Sequence, residues 1–317
     1  MFRALIIVYS PKENLLLAVE HTTPYWLPCP IFDGSVAIVQ HGLAEQREEG
    51  TDDWGVRWAS IDARSGPFPI EHPLKSVDQI DDYPMPGPDE KTLKGTLRHI
   101  EERDRFLVAG DNGWGLFERA WLLVGMNRLF RWSMTCPEAV ERLVERIALV
   151  KIRLTELLIE EADVEMIMYG DDWGTEKGLF FSPEWWRRFI YPWQKRLYEA
   201  AKRRGVLVYQ HSDGRVEQII PDLLEIGVDI LNIQRECNDW GRIYSEYGDR
   251  VTLWGGVSAR TLDVGSPSDI AREVYECAEM GRDGGIVLAP GHALKYPREN
   301  IEAMRQAWLK YGFYRQV

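Results

Sequence analysis

Hydrophobic and polar positions follow two different rhythms along this chain of 317 residues, and the change falls near residue 100. Beyond that point short apolar runs recur, each ended by glycine or by polar residues. They predict strands at Arg105–Ala109, Val164–Tyr169, Val206–Gln210, Asp229–Ile233, Val251–Trp254 and Ile286–Ala289. Longer segments with helix signals lie between them. Helices are expected from about Pro137 to Glu161, from Ser182-Pro183-Glu184 to about Arg204, and from Val216 to Ile226 with Gly227 behind it. Others are expected from Asp239 to Tyr247, from Ser266-Pro267-Ser268-Asp269 onward, and from about Arg298 to Lys310. Strands alternating with helices imply parallel pairing through right-handed crossovers.

The first hundred residues are irregular and rich in turns. Ser10-Pro11-Lys12-Glu13 predicts an N-cap with proline in the first helical turn, the helix continuing through Asn14 to His21. Trp26–Ile31 is expected to form a first strand despite Pro28 and Pro30, and Asp52–Trp58 a short one. Asp81–Pro88 is a proline-punctuated loop.

An open doubly wound sheet and a closed barrel both fit this order. No G-x-G-x-x-G follows any strand, which removes the main support for a dinucleotide fold. The expected fold class is α/β, a (β/α)8 TIM barrel with an irregular N-terminal decoration. Residues 1–100 would decorate it and 101–317 would form its main body, with the eighth strand within the first third.

Composition sharpens this in three ways. Hydrophobic residues are 45% and charged residues 28%, so a sizeable core can form and wholesale disorder is excluded. Lys+Arg number 38 against Asp+Glu 50, a net charge of −12, which speaks against nucleic acid or an anionic membrane as partner. No apolar stretch approaches the roughly 20 residues of a membrane span, and no signal-peptide pattern opens the chain, so a cytoplasmic location is expected. Cys29, Cys136, Cys237 and Cys277 form no C-x-x-C pair and are expected to be reduced, mostly as small buried hydrophobes.

Sites in barrels and open α/β sheets sit at the carboxyl ends of strands. The polar residues just past the apolar runs are therefore the candidates: Asp171 and Asp172, His211 and Asp213, Asn232, Gln234 and Glu236, and His292. Residues i and i+2 of an extended segment face one side, so His211 and Asp213 can converge on one point. His292 occupies an equivalent place 81 positions later. Two imidazoles and a carboxylate suit Zn²⁺ or another divalent ion with open positions. The same three also suit a metal-free acid/base or hydrogen-bonding site, or structural histidines. Asp171 and Asp172 are candidate acid/base groups or helix caps. Trp173 and Trp254, among thirteen tryptophans, are candidates to line an apolar pocket, or to pack in the core.

At these residues the chain resembles the uroporphyrinogen decarboxylase superfamily. The resemblance rests on Tyr169-Gly-Asp-Asp-Trp-Gly-Thr-Glu-Lys-Gly178, Ser182-Pro-Glu-Trp-Trp186, His211-Ser-Asp-Gly214, Trp254-Gly-Gly-Val257 and Leu288-Ala-Pro-Gly-His292, in that order. It implies a (β/α)8 barrel and two chemistries. The N-terminal R-Q-x-G-R motif of the true decarboxylases is missing, so decarboxylation of a tetrapyrrole is not expected. The resemblance is closer to the corrinoid-dependent methyltransferases. Their zinc is held by an H-x-C pair and a distant cysteine; here His211 matches the first ligand, Asp213 replaces a cysteine and His292 stands near the second. That harder ligand set suits an oxygen ligand better than a thiolate. The resemblance also implies that Asp171 and Asp172 face the substrate cavity, with Glu118 and Gln234 as further cavity residues.

The expected function is thus transfer of a methyl group between a small methylated substrate and a corrinoid carried by a partner protein. His211, Asp171 and Asp172 would be catalytic. Glu118, Trp173, Gln234 and Trp254 would contact substrate, and His211, Asp213 and His292 would hold a divalent metal. The partners expected are the small molecule, a corrinoid protein and, left open, further copies of this chain. The alternatives are a metal-independent decarboxylase or lyase of a small organic acid, and a non-catalytic binding barrel.

Overall fold

In a computed structural model of the chain, which describes residues 9–60, 66–88 and 103–314, the alternating pattern becomes a curled parallel sheet with helices outside it. The chain opens with α1 (Pro11–Val19), the short α2 (Pro30–Asp33) and β1 (Val36–Gln40). An antiparallel meander of β2 (Glu49–Thr51), β3 (Arg57–Ser60) and β4 (Pro67–Glu71) follows. Then come β5 (Leu107–Asp111), α3 (Leu116–Val124), α4 (Met126–Thr135), α5 (Pro137–Ala162) and β6 (Met166–Gly170). A hairpin of β7 (Gly174–Thr175) and β8 (Gly178–Leu179) leads to α6 (Pro183–Phe189), α7 (Tyr191–Lys202) and β9 (Leu207–Ser212). The chain continues through α8 (Ile220–Glu225), β10 (Ile230–Ile233), α9 (Trp240–Tyr247), β11 (Thr252–Val257), α10 (Ala259–Val264), α11 (Pro267–Met280), β12 (Ile286–Pro290) and α12 (Arg298–Tyr311).

The main sheet runs β1-β5-β6-β9-β10-β11-β12, every pairing parallel, which is the order of an α/β barrel. Strand pleat decides what faces inward. Leu107 and Ala109, Met166, Tyr209, Ile230, Trp254, Val287 and Ala289 form one buried cluster inside the curl. Their neighbours Val108, Ile167, Val208, Leu231, Leu253 and Leu288 belong to the larger core between sheet and helices. Leu15 and Val19 of α1 join the inner cluster. Lys12 N–H donates to Arg105 and Gly285 N–H to Ala18, so α1 closes the amino-terminal end of the barrel. The helix is well started, with Ser10 and Glu13 forming a reciprocal capping box and Pro11 in the first turn.

Several expectations change. Trp26–Ile31 is not a strand: Trp26 makes one bridge to Phe313, and Pro30 begins α2. The Pro28 carbonyl still accepts the Leu288 N–H, so this segment lies along the free edge of β12, and among the described residues no eighth parallel strand is paired there. The first strand is instead Val36–Gln40, against β5, so the sheet begins before residue 100. Residues 52–56 are a turn rather than strand, because Asp52 Oδ1 accepts the N–H groups of Trp54 and Val56. The helix expected from Ser182 to Arg204 breaks at Ile190, ahead of Pro192 at the start of α7. Cys29 and Cys277 are buried and free. No helix among the described residues is long and apolar enough to cross a membrane.

A buried charge network ties the meander to the barrel. Glu45 Oε1 receives Lys151 Nζ at 2.5 Å and Trp54 Nε1 at 3.2 Å, while Oε2 receives the Trp114 N–H at 2.7 Å. Asp52 Oδ2 accepts from Trp58 Nε1 at 2.9 Å and from Arg119 at 3.3 Å, and the guanidinium lies over the Trp54 ring. Lys151 is fully enclosed and also donates to the Asn112 carbonyl.

Candidate active site

The site begins with register. Gly170 of β6, His211 of β9 and Asn232 of β10 are direct neighbours across the sheet. His211 shares the pleat of Tyr209, and Asn232 that of Ile230, so both project into the barrel at its carboxyl end. Asn232 Nδ2 donates to the Trp254 carbonyl at 2.6 Å, which leaves its Oδ1 to accept from His211 Nδ1 at 2.6 Å. With Nδ1 committed, Nε2 is the free end of the imidazole. It lies 3.4 Å from Asp213 Oδ1 and 3.6 Å from Asp172 Oδ1.

His292 completes the cluster from the loop after β12. Gly291 N–H donates to the Val257 carbonyl and Tyr296 Oη to the His292 carbonyl at 2.7 Å, holding the turn. His292 Nε2 lies 3.8 Å from Asp213 Oδ2, and the two imidazoles are nearly parallel with centroids 5.8 Å apart. One ligand atom each from His211, Asp213 and His292 lies within 4.8 Å of the others. Asp213 Oδ1 is shielded from solvent and has no hydrogen-bond partner. The Asp213 carboxylate turns Oδ1 to His211 and Oδ2 to His292, and with Oδ1 unpartnered the three side chains offer two nitrogens and an oxygen, a donor set that fits a divalent metal.

Charge here is unevenly matched. Asp172 and Asp213 pair with histidines only among the described residues. Burial and the neighbouring Asp213 push the Asp172 carboxyl up. Burial also works on Asp213, but the neighbouring His211 and, behind it, His292 outweigh it and hold that carboxyl below its usual range. Burial opposes a charged His211, yet Asp213 and Asp172 prevail and raise it.

The other candidate residues separate. Asp172 stands in the cluster, its Oδ1 accepting the Asp213 N–H at 2.9 Å. Asp171 does not face the cavity: it is fully enclosed, and its two oxygens take the N–H groups of Phe117 and Glu118 at the start of α3. It caps that helix, and burial still pushes it up to about 7. Trp173 is buried against Trp186 at 5.6 Å, and Trp254 is buried edge-on to Tyr209 beneath the site. Both are packing residues rather than exposed cavity walls. Gln234 Oε1 accepts the Gly214 N–H at 2.9 Å and so braces the turn after Asp213. Gly214 has φ +74°, and a Cβ there would collide with Gly174, so this turn admits only glycine. Glu118 lies beside Asp171 and Asp172. Asn232, a strand-end candidate from the sequence, is the residue that orients His211, and its signal is a polar residue on the inward pleat of an otherwise apolar strand.

Barrel topology with a strand-end His/Asp/His cluster defines an α/β-barrel protein whose candidate site lies at the carboxyl face. Residues 59–311 match the family Uroporphyrinogen decarboxylase (URO-D), and the chain belongs to that family. The uroporphyrinogen decarboxylase of Alkalilimnicola ehrlichii is 26% identical over 259 residues, covering 75% of this chain and 67% of that protein. Among solved structures, a methyltransferase from Methanosarcina mazei superposes with a TM-score of 0.72 at 17% identity, covering 96% of this chain and 99% of that one. This second likeness is one of fold.

Proposed function

We propose that this protein is a methyltransferase that moves a methyl group from a small methylated molecule to a corrinoid carried by a partner protein. The observation that carries the reading is the convergence of His211, Asp213 and His292 around an unpartnered, buried carboxylate oxygen. The fold shared with a methyltransferase and membership of the family support it.

His211 Nε2, Asp213 and His292 would hold the divalent metal. When bound, such an ion supplies Lewis-acid polarisation of a heteroatom. The protein's own groups do the rest. Asn232 fixes the tautomer and angle of His211. Tyr209 and Trp254 form a dry floor beneath the cluster. Asp172 holds the Asp213 backbone, and Gln234 the Gly214 backbone, so the His211–Gly214 turn is pinned on both sides.

The test is elemental analysis of the purified protein, together with methyl transfer to a free reduced corrinoid from a panel of methoxylated and N-methylated compounds. Stoichiometric metal and turnover of at least one compound are expected. Absence of metal, with no activity on adding Zn²⁺, Co²⁺ or Mn²⁺, would overturn the reading.

A further inference from the structure

A cavity of about 780 Å³ lies where β4 meets α3 and α4. That size falls within the roughly 300–1,000 Å³ of small-molecule sites. None of the residues of the barrel-mouth cluster lines it. Phe68 of β4 and Trp121 of α3 supply aromatic walls, His72 an imidazole, and Arg128 and Arg131 of α4 two guanidiniums. Among the described residues no carboxylate lines it.

The donors here are not consumed by the fold. Arg128 and Arg131 stand three residues apart, which puts them on one side of α4. Among the described residues neither makes an ion pair, a hydrogen bond from its side chain or a ring contact. The arginines of the next helix are spent instead: Arg142 on Asp81, and Arg146 on the carbonyls of Ile80, Asp81 and Tyr83. The Trp121 indole N–H likewise has no hydrogen-bond partner among the described residues. Phe68 is 44% exposed, without a ring partner among them. The walls themselves are fixed. His72 Nδ1 donates to the Leu122 carbonyl at 2.7 Å, and its ring meets Trp121 edge-on with centroids 6.5 Å apart. Leu74 N–H donates to the Leu123 carbonyl at 3.0 Å, tying the end of the meander to α3. Gly125 turns the chain between α3 and α4 at φ +86°, and a Cβ there would come within 3.0 Å of the His72 ring.

We propose that this cavity binds a small aromatic carboxylate, its ring against Phe68 and Trp121 and its carboxylate between Arg128 and Arg131. Guanidinium and indole N–H groups donate and cannot accept, so their complement is an anion. The planar guanidinium fork matches a carboxylate, and exposed aromatic faces match a flat ring. A net charge of −12 repels small anions from the molecule as a whole, so binding has to come from this local arrangement. The inference is independent of the methyl-transfer reading, because no residue is shared between the two sites.

The test is isothermal titration of the full chain with 1-naphthoate as the probe. One molecule should bind per chain, with neutral 1-naphthylmethanol and ring-free acetate each weaker by at least about tenfold. Replacing both arginines, Arg128→Gln with Arg131→Gln, should weaken naphthoate by at least about tenfold, and Phe68→Ala by about 2–10-fold. Phe68 and Arg131 are exposed and Arg128 is half-buried, so thermal midpoints should stay at the wild-type value. His211→Ala, at the barrel mouth, should bind naphthoate as wild type does. A second measurement needs no variant: naphthoate should slow modification of Arg128 and Arg131 by phenylglyoxal, read by mass spectrometry of the wild-type chain. Absence of binding at millimolar naphthoate overturns the proposal, as does equal binding of the neutral alcohol. Binding that survives the double arginine replacement, that is lost in His211→Ala, or that leaves both arginines unprotected places the probe elsewhere and overturns it too.

Discussion

Carboxylates face basic groups in two places in this molecule, beneath the N-terminal meander and at the barrel mouth. Under the meander, Glu45 and Asp52 meet Lys151 and Arg119 at 2.5–3.5 Å, with indole and backbone N–H groups taking the remaining lone pairs. Formal charge balances there, two against two. At the mouth, Asp172 and Asp213 meet His211 and His292 at 3.4–3.8 Å, beyond direct hydrogen bonding. One carboxylate oxygen is left unmatched, and His292 and Asp172 are about one-third exposed. The closed network resembles a staple, since removing one partner strands the other charge in a dry interior. The looser one has the spacing of groups that await a ligand between them. The lesson is that the same residue types read as structure or as chemistry according to whether the carboxylate oxygens are matched.

Four measurements would break or sharpen that contrast. The largest effect is expected from His211→Ala, which should abolish metal retention and lower methyl transfer by about 10²–10⁴-fold, as for loss of one positioned catalytic group. Its folding stability, from chemical denaturation, should stay within about 1 kcal/mol of wild type. A collapse in stability would mean that the mouth cluster is a staple too.

Lys151→Ala should behave in the opposite way, destabilising by about 3–5 kcal/mol because Glu45 is left buried without its main counter-charge. A double replacement, Glu45→Gln with Lys151→Met, should recover much of that loss. If Lys151→Ala unfolds at the wild-type denaturant midpoint, the network is not holding the meander.

Asn232→Ala removes the acceptor that orients His211, and isothermal titration should show metal affinity weakened roughly 10–100-fold, with the three ligands still present. Unchanged affinity would show that His211 is held by other contacts.

The smallest effects are those of pH, and the two regions should respond differently. Burial works to raise Glu45, but Lys151, His41 and Arg119 outweigh it and hold its carboxyl well below the usual range. A carboxyl depressed on folding contributes stability above its unfolded value of about 4.3, and that contribution fades as pH falls below it. The stability of wild type should therefore fall more steeply below that pH than that of Glu45→Gln. His211 is raised on folding despite its burial. Its own contribution is present below its unfolded value, about 6.5, and is lost as pH rises through its higher folded value. A metal must displace that proton, so affinity should increase with pH across the same interval. Metal binding indifferent to pH there would remove His211 from the ligand set.

Much of the barrel was legible in the chain because its signals are local. Six of the seven strands of the main sheet are short apolar runs bounded by glycine or acidic residues, and Ser10, Ser182 and Ser266 each precede a proline that starts a helix. His211 and Asp213 could be placed on one side of a strand end by the period of the pleat alone. What escaped depends on contacts far apart in sequence. Val36–Gln40 is apolar enough to be a strand, but only its pairing with β5 distinguishes it from the equally apolar Trp26–Ile31, which lies beside β12 without becoming one. Asp171 and Asp172 are adjacent and chemically identical. One turns into a helix terminus 53 residues upstream and the other toward His211, a choice made by the close packing of the Gly115 loop on β6. The sequence by itself determined the order of elements and the residue types available at the barrel mouth. Only the tertiary structure decided which carboxylates are consumed by backbone N–H groups and which remain for chemistry, because that depends on burial and on partners supplied by distant segments.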